Sequence, residues 1–317
     1  MSPPGVLVTG SAGYVGRLTV EALARRELSA LVALDVAEPK ERIDGVTYVS
    51  MSVCDPALAD VIRDRGITHV VHLASILRPP PGKGPEFAYQ VDVEGTRNVL
   101  EACVAHGVKK LIVTSSGAAY GYHADNKSWL TEDDPVRGNA EFPYSHHKRL
   151  IEEMLASHRR EHPELAQLVF RPGTVIGPSV KSPVTDLFEK PAMIGVRGSD
   201  SPFVFIWDED VVECLVRGVF SDATGTYNLA GDGALTPREI ARVMGKPYLS
   251  VPAGLLGAAL GVLQRLGKTQ YGPEQVRFLR YRPVLSNRRL KEQFGYTPKW
   301  TSRQAFERYL ASKDGHA

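Results

Sequence analysis

The chain has few of the features that mark a protein for export, metal binding or contact with nucleic acid. Its 317 residues include only three cysteines, Cys54, Cys103 and Cys214, too far apart for a disulfide framework or a metal-ligand spacing. Lysine and arginine number 38 against 36 acids, and the basic residues are scattered. Residues 1–4 carry no apolar run of the kind that opens a secretion signal. We therefore expect a cytoplasmic protein with its cysteines packed inside, without a metal and without a nucleic-acid partner.

Long uncharged apolar segments are also scarce, and the clearest covers residues 251–267, which carry no charge until Arg265. This segment is too short and too rich in glycine to predict a membrane-spanning helix. Two alternatives stay open. The segment is either a helix buried against the domain or a dimer partner, or a lip that contacts a membrane weakly or admits an apolar substrate.

What the chain does have is an alternation of strand-like and helical segments through its first half. The predicted strands are residues 6–8, 30–35, 46–49, 69–73, 110–114 and 167–170, and the predicted helices are residues 17–27, 56–65, 86–106 and 144–161. This alternation predicts an α/β fold, a doubly wound parallel sheet of the Rossmann type, over residues 1–172. Beyond it, proline and glycine interrupt the pattern, which predicts a smaller, mostly helical substrate lobe over residues 173–317, with some interleaving of the two.

A glycine-rich turn follows the first predicted strand. Thr9 and Gly10 are followed by Gly13 and Gly16, where a helix begins. Gly10 permits a sharp turn, Gly13 lets the backbone approach phosphate oxygens, and Gly16 lets the helix pack close to the strand. The first N–H groups of the helix attract an anion. The segment therefore predicts a loop that binds pyrophosphate.

Asp35 ends the second predicted strand, about 20 residues beyond the glycines. A carboxylate at this point hydrogen-bonds the adenosine ribose hydroxyls and repels a 2′-phosphate. We therefore expect the cofactor to be NAD rather than NADP. The alternative is that Asp35 only caps the turn after the strand.

Tyr144 and Lys148 are four residues apart, which places them one turn apart on the same face of a helix. A lysine cation favours the phenolate form of a nearby tyrosine, so the pair can exchange a proton with a substrate hydroxyl or carbonyl. The fifth predicted strand ends in Ser115 and Ser116, where the reactive end of the cofactor is expected. We predict that Ser116 orients the reacting oxygen, with Ser115 as the second candidate, although serines after strands also cap loops.

Together these segments resemble the extended short-chain dehydrogenase/reductase superfamily, which contains NAD-dependent epimerases and dehydratases. The resemblance is close over residues 6–178 and loose beyond them. It implies a catalytic triad of Ser116, Tyr144 and Lys148, and an adenine contact from Asp55. It also implies cofactor contacts, in addition to Gly10, Gly13, Asp35 and the triad's Tyr144 and Lys148, from Tyr14, Val15, Leu73, Ala74, Ser75, Thr114, Pro172, Gly173 and Val175.

Several positions depart from the family's pattern. Asp92 stands where relatives usually have an asparagine. Thr174 takes the place of an asparagine that grips the diphosphate of sugar nucleotides, and Phe203 stands about where relatives carry an arginine. Because a bidentate phosphate partner is lost, we predict an apolar pocket that Thr174 and Phe203 contact. Phe203, Phe205 and Trp207 alternate as on a half-buried strand, and they are either core or a wall for substrate.

These observations favour an NAD(H)-dependent oxidoreductase that transfers hydride between nicotinamide and a ketone or secondary alcohol of a hydrophobic small molecule. The alternative is a sugar-nucleotide 4-epimerase with tightly bound NAD. A dehydratase is disfavoured because relatives of that kind place an acid pair beside the serine, where this chain has Gly117 and Ala118. A protein that only binds a dinucleotide is disfavoured by the intact triad. The resemblance also implies a homodimer formed through the helices at residues 86–106 and 144–161.

Overall fold

The computed structural model describes residues 2–77, 79–80, 82–268 and 272–313. Its strands are β1 (Gly5–Thr9), β2 (Ala30–Asp35), β3 (Thr47–Ser50), β4 (His69–His72), β5 (Lys110–Thr114), β6 (Ala166–Pro172), β7 (Thr174–Ile176), β8 (Met193–Val196), β9 (Phe205–Trp207), β10 (Gly225–Leu229) and β11 (Tyr248–Val251). Its α-helices are α1 (Tyr14–Leu23), α2 (Leu58–Asp64), α3 (Pro85–Tyr89), α4 (Gly95–Ala105), α5 (Pro143–Glu161), α6 (Thr185–Phe188), α7 (Asp208–Phe220), α8 (Pro237–Val243), α9 (Ala253–Arg265), α10 (Gln275–Arg280), α11 (Arg288–Glu292) and α12 (Ser302–Lys313).

Seven strands form the main sheet in the order β10-β6-β5-β4-β1-β2-β3, and the pairs from β1 to β6 are parallel. The strand order reverses between β1 and β4, which is the point at which sheets of this class bind ligands beyond the carboxyl ends of their strands. The predicted doubly wound sheet is confirmed. Strand β1 is buried along its whole length, as expected for a central strand covered by helices on both faces.

The chain divides into two compact units. The first comprises Met1–Ala119, Pro143–Arg171 and Glu209–Tyr227, and the second comprises Tyr120–Phe142, Pro172–Asp208 and Asn228–Ala317. The first unit has an apolar core in which Leu7, Val70 and Leu111 are fully buried. In the second unit, an aromatic cluster that includes Phe188, Phe205 and Phe306 forms the core.

Several sequence predictions need correction. Phe203 and Phe205 are buried as predicted, but the residues between and after them, Val204 and Ile206, are buried as well, so this segment is core rather than a half-buried strand. The single predicted helix over residues 86–106 is interrupted by a π-helical turn at Gln90–Glu94. Cys54 is exposed and does not serve packing, whereas Cys103 and Cys214 are buried.

The apolar segment over residues 251–267 forms α9, and no residue of this helix is buried. The alternative that this helix is buried against the domain is therefore wrong. Its burial against a dimer partner and its contact with a membrane or an apolar substrate stay predictions. Within the described residues, no helix is both long and apolar enough to cross a membrane, and no group of histidines, cysteines and acids is arranged to hold a metal ion.

Candidate active site

The turn after β1 has the backbone geometry that its glycines predict. Gly10 has a φ of 70°, a left-handed conformation that favours glycine. A Cβ atom on Gly10 would lie 2.6 Å from the backbone nitrogen of Ala74, and one on Gly16 would overlap the carbonyl oxygen of Gly10. Helix α1 begins directly after Gly13, so its first N–H groups lie at this turn.

Asp35 lies beside the same turn. Its Oδ2 accepts a hydrogen bond from the Ala12 backbone N–H at 3.0 Å, and its Oδ1 accepts one from Ala37 at 3.0 Å. A shallow pocket next to it is lined in part by Ser11, Asp35 and Tyr48. Asp35 therefore caps the turn after β2 and also faces a recess beside the glycine turn, so the two sequence alternatives are compatible.

Helix α5 carries Tyr144 and Lys148 on one face, with the lysine Nζ 5.6 Å from the centre of the tyrosine ring. Lys148 is buried, and its Nζ donates a hydrogen bond to the Thr114 carbonyl oxygen at 3.1 Å, at the end of β5. Next to Tyr144, the Ser145 hydroxyl donates to the Ala118 carbonyl oxygen at 2.6 Å. These two bonds fix the start of α5 against the segment that carries Ser116.

The two serines after β5 have different surroundings. Ser115 is buried, and its hydroxyl donates to Glu152 Oε1 at 2.5 Å. Arg171 binds the same carboxylate through both Nε and Nη2. Ser116 is only partly buried, and its Oγ accepts a bond from the Ala118 N–H at 3.1 Å. Ser115 is thus committed to a buried ion pair, whereas the hydroxyl proton of Ser116 remains available to a ligand.

A chain of hydrogen bonds through His72 joins the ends of β1 and β4 to α4. The Thr96 hydroxyl donates to the Asp92 carbonyl oxygen, so it accepts from His72 Nε2 at 2.9 Å. His72 Nδ1 then accepts from the Thr9 hydroxyl at 2.7 Å. Burial lowers the pKa of His72 to about 3, with a smaller contribution in the same direction from the Lys148 cation. The imidazole is therefore neutral at physiological pH, and it holds both strands at the point where the sheet order reverses.

Asp92, the departure from the family's asparagine, lies in the π-helical turn and is completely buried. Its Oδ1 accepts bonds from the Ser75 hydroxyl at 3.0 Å and the Ile76 N–H at 2.7 Å. Its Oδ2 lies 2.9 Å from Nδ1 of His147, which is also buried and has the Tyr89 ring against it. The carboxylate therefore holds the loop after β4 to α5, the helix of Tyr144 and Lys148.

The other predicted cofactor residues are divided between the two units. In the first unit, the Leu73 and Ala74 N–H groups bond Thr9 at the glycine turn, and the Asp55 carboxylate accepts from the Ala57 N–H. The predicted contacts of the second unit lie at the end of β6 and along β7, namely Pro172, Gly173, Thr174 and Val175, with Phe203 near β9. There, the Gly173 and Thr174 N–H groups bond the carbonyl oxygens of Leu229 and Val204.

Arg282 of the second unit is a buried cation that sequence reasoning missed. Its guanidinium lies 3.7 Å from the centre of the Phe203 ring and 5.0 Å from that of Phe278. Nη1 donates to the Ser201 carbonyl oxygen at 2.8 Å, and Nε has no hydrogen-bond partner within the described part of the chain. Among the residues that the structure describes, no carboxylate pairs with it, and burial lowers its pKa to about 9.

The first unit fits a dinucleotide. A turn without room for side chains, the N-terminus of α1, a carboxylate on β2 and a lysine on α5 lie along the carboxyl ends of parallel strands. These are the elements that hold the pyrophosphate and ribose groups of NAD in sheets of this class.

Comparison with known proteins agrees with this geometry. The model of the NAD dependent epimerase/dehydratase family matches residues 6–195. An uncharacterized protein of Mycobacterium tuberculosis is 27% identical over 318 residues, which cover 98% of this chain and 84% of that protein. The 3beta-hydroxysteroid-dehydrogenase/decarboxylase isoform 2 of Arabidopsis thaliana is 26% identical over 357 residues, covering 96% of this chain and 61% of that protein.

A solved structure is similar over nearly the whole chain. It is the complex of the UDP-glucose 4-epimerase of Thermus thermophilus with NAD, with a TM-score of 0.74, 25% identity and coverage of 98% of this chain and 99% of that chain. The family match and the glycine turn with Asp35 lead to one conclusion. The chain belongs to the NAD-dependent epimerase/dehydratase family, within the extended short-chain dehydrogenases/reductases, and is an enzyme whose cofactor is NAD.

Proposed function

We propose that this enzyme oxidises or reduces a secondary alcohol or ketone of a hydrophobic small molecule, with residues 1–172 binding cofactor and residues 173–317 binding substrate. NAD, when bound, supplies the acceptor or donor of the hydride. Tyr144 takes up the proton of the substrate hydroxyl during oxidation and returns it during reduction. Lys148 favours the phenolate and binds the nicotinamide ribose, and Ser116 donates a hydrogen bond to the reacting oxygen.

The observation that carries this proposal is the position of Tyr144 at the first turn of α5, fixed to the end of β5. The Lys148 bond to the Thr114 carbonyl and the Ser145 bond to the Ala118 carbonyl hold the two segments together on either side of Ser116. An acid–base group acts efficiently only when its position is held by such contacts. The same contacts leave the Ser116 hydroxyl proton uncommitted.

An apolar substrate is supported by two independent points. Phe203 and Thr174 replace groups that grip a diphosphate in the sugar-nucleotide enzymes that the chain resembles. A relative that covers 96% of the chain is, by its name, a hydroxysteroid dehydrogenase/decarboxylase. We therefore propose a fused-ring or similarly bulky apolar alcohol as the substrate class.

The test is a cofactor-reduction assay with purified enzyme, NAD⁺ and a panel of secondary alcohols that includes 3β-hydroxysteroids. Absorbance from NADH, formed in proportion to the ketone product, is the expected result. The Tyr144→Phe variant must lose this activity while it still binds NADH. If no apolar alcohol is oxidised while UDP-glucose turns over without net cofactor reduction, the proposal is wrong and the epimerase alternative stands.

The second candidate, a sugar-nucleotide 4-epimerase, is favoured by Arg282. A buried guanidinium without a carboxylate partner is costly, and an anionic ligand relieves that cost. A diphosphate is such a ligand, and arginine binds it through paired hydrogen bonds. Calorimetric titration with UDP in the presence of NAD⁺ separates the candidates. Binding that is lost in Arg282→Met supports the epimerase, whereas no UDP binding by the parent enzyme removes it.

We keep two further points as proposals. The enzyme acts as a homodimer through the helical segments at residues 86–106 and 144–161, as the family resemblance implies, and it works in the cytoplasm. Analytical ultracentrifugation at several concentrations tests the first, and a monomer throughout contradicts it.

A further inference from the structure

The surface around α9 is the most apolar exposed region among the described residues. Of the ten large apolar side chains that are exposed among the described residues, six belong to this region, which we call the α9 patch. The six are Ile194, Leu249, Leu255, Val262, Leu263 and Leu266. A soluble protein seldom leaves so many large apolar side chains together in water, and such surfaces mark interaction sites.

The helix has two distinct faces. Gly257 and Gly261 lie on the side that approaches Pro273. A Cβ atom built on either glycine would lie between 3.3 and 4.0 Å from atoms of that proline. Leu255, Val262 and Leu266 follow a spacing of seven and four residues, which places them together on the other side. Their exposures are 64, 55 and 63%. The outward face of α9 therefore presents a row of leucine and valine side chains to its surroundings.

Strand β11 leads directly into α9 and extends this surface. Leu249 on β11 is paired in register with Ile194 on β8, and both side chains are exposed, at 51 and 43%. Paired residues of neighbouring strands point to the same face of a sheet. The small two-stranded sheet thus adds two large apolar side chains next to the start of the helix.

Two exposed cations, Arg265 and Lys268, lie at the end of α9, beside Leu266. From Lys246 to Arg282 the sequence contains six lysines and arginines and a single acid, Glu274. Of these cations, Arg277 pairs with Glu141 and Arg282 is buried, so neither adds free charge to the surface. The Glu274 carboxylate accepts a hydrogen bond from the backbone N–H of Gly272. The apolar row of α9 therefore ends beside two exposed cations.

From this combination we infer that the α9 patch binds the surface of an anionic phospholipid membrane, with α9 lying in the plane of the interface. Its apolar row enters the boundary between headgroups and acyl chains, and Arg265 and Lys268 contact lipid phosphates. A second copy of the chain is a poorer occupant. A two-fold interface brings identical patches together, and with them the Arg265 and Lys268 cations of both copies. This inference is independent of the proposed reaction.

The experiment is co-sedimentation of the full chain with phosphatidylcholine vesicles that contain or lack phosphatidylglycerol. We expect binding to the anionic vesicles, weaker binding to the neutral ones, and a loss of binding as salt is raised. The triple variant Leu255→Ser/Val262→Ser/Leu266→Ser should reduce binding about tenfold or more, and Arg265→Glu/Lys268→Glu should remove the preference for anionic lipid. Phe220→Ser, which changes another exposed apolar side chain, is the matched control and should bind like the parent chain.

All of these side chains are exposed, so circular dichroism and thermal unfolding should show that the variants fold. An absence of vesicle binding, or equal binding by the triple variant, overturns the inference. It is also overturned if ultracentrifugation shows that the triple variant converts a dimer into a monomer while neither protein binds vesicles, since the occupant is then a second copy.

Discussion

Two buried carboxylates of the first unit and one buried guanidinium of the second are paired differently. In the first unit, Glu152 is bound by Arg171 and Ser115, and Asp92 by His147, Ser75 and Ile76. In the second, the Arg282 guanidinium lies near the rings of Phe203 and Phe278, and no carboxylate among the described residues pairs with it. Complete pairing stabilises a site before any ligand arrives, whereas an unpaired buried cation is relieved by one. Glu152 and Asp92 therefore hold the segments around Tyr144 and Lys148 in place before a ligand binds, whereas the surroundings of Arg282 favour an additional, anionic ligand.

The largest effect is expected where the first unit performs chemistry. Tyr144→Phe removes the only atom that exchanges the proton in the proposed mechanism. We expect kcat to fall about 10³-fold, with the affinity for NADH unchanged because the phenyl ring and Lys148 remain. Steady-state kinetics and fluorescence titration with NADH measure the two quantities. A variant that retains most of its turnover would show that another group carries the proton.

The two serines after β5 give a matched pair within one segment. Ser116→Ala should lower kcat about 10- to 100-fold with little change in the free energy of unfolding, because its hydroxyl accepts only one N–H bond in the folded chain. Ser115→Ala should do the opposite, lowering the unfolding free energy by about 1–2 kcal/mol because Glu152 loses a buried donor. Kinetics and urea unfolding of both variants provide the test. If the two effects are exchanged, Ser115 is the catalytic serine.

A substitution of His72 tests whether the free energy of unfolding depends on pH through this buried histidine. The unfolded chain binds a proton on this residue below about pH 6.5, whereas the folded chain does so only near pH 3. Stability from this residue is therefore complete above pH 6.5 and is lost as the pH falls towards 3. Between pH 7 and pH 5 the loss is about 2 kcal/mol. Urea unfolding at both pH values should show that His72→Asn lacks this part of the decrease, and an equal decrease in both proteins would contradict the prediction.

Features of the fold and of the site can be predicted from the sequence when the residues that form them are close together along the chain. The glycine turn, the bounds of β5 and the Tyr144–Lys148 spacing follow from residues close together, and the sheet, the family and its NAD cofactor are confirmed. The tie between Ser115 and Glu152 spans 37 residues, and no local pattern predicts it. The only local indication that His147 contributes to the site is its position next to Lys148.

The second unit is harder to predict from the sequence for a physical reason. An apolar segment such as residues 251–267 shows that a surface needs covering but not what covers it. The sequence therefore leaves open whether the domain, a dimer partner, a membrane or an apolar substrate contacts α9. The sequence does not single out Arg282. What distinguishes this residue is that no carboxylate among the described residues lies beside it in space.

Asp92→Asn is the smallest change we predict, although it removes a fully buried charge. The new amide keeps an oxygen for the Ser75 hydroxyl and the Ile76 N–H, and its nitrogen can donate to His147 Nδ1 once the ring carries its proton on Nε2. We expect urea unfolding to show a loss below about 1 kcal/mol. Asp92→Leu leaves all three partners unsatisfied and should cost about 3 kcal/mol or more. Similar losses in both variants would mean that the charge itself, rather than the count of hydrogen bonds, holds the loop after β4 to α5. A small loss in the asparagine variant alone means that this chain accommodates an aspartate at the family's asparagine position because His147 can supply or accept the remaining proton.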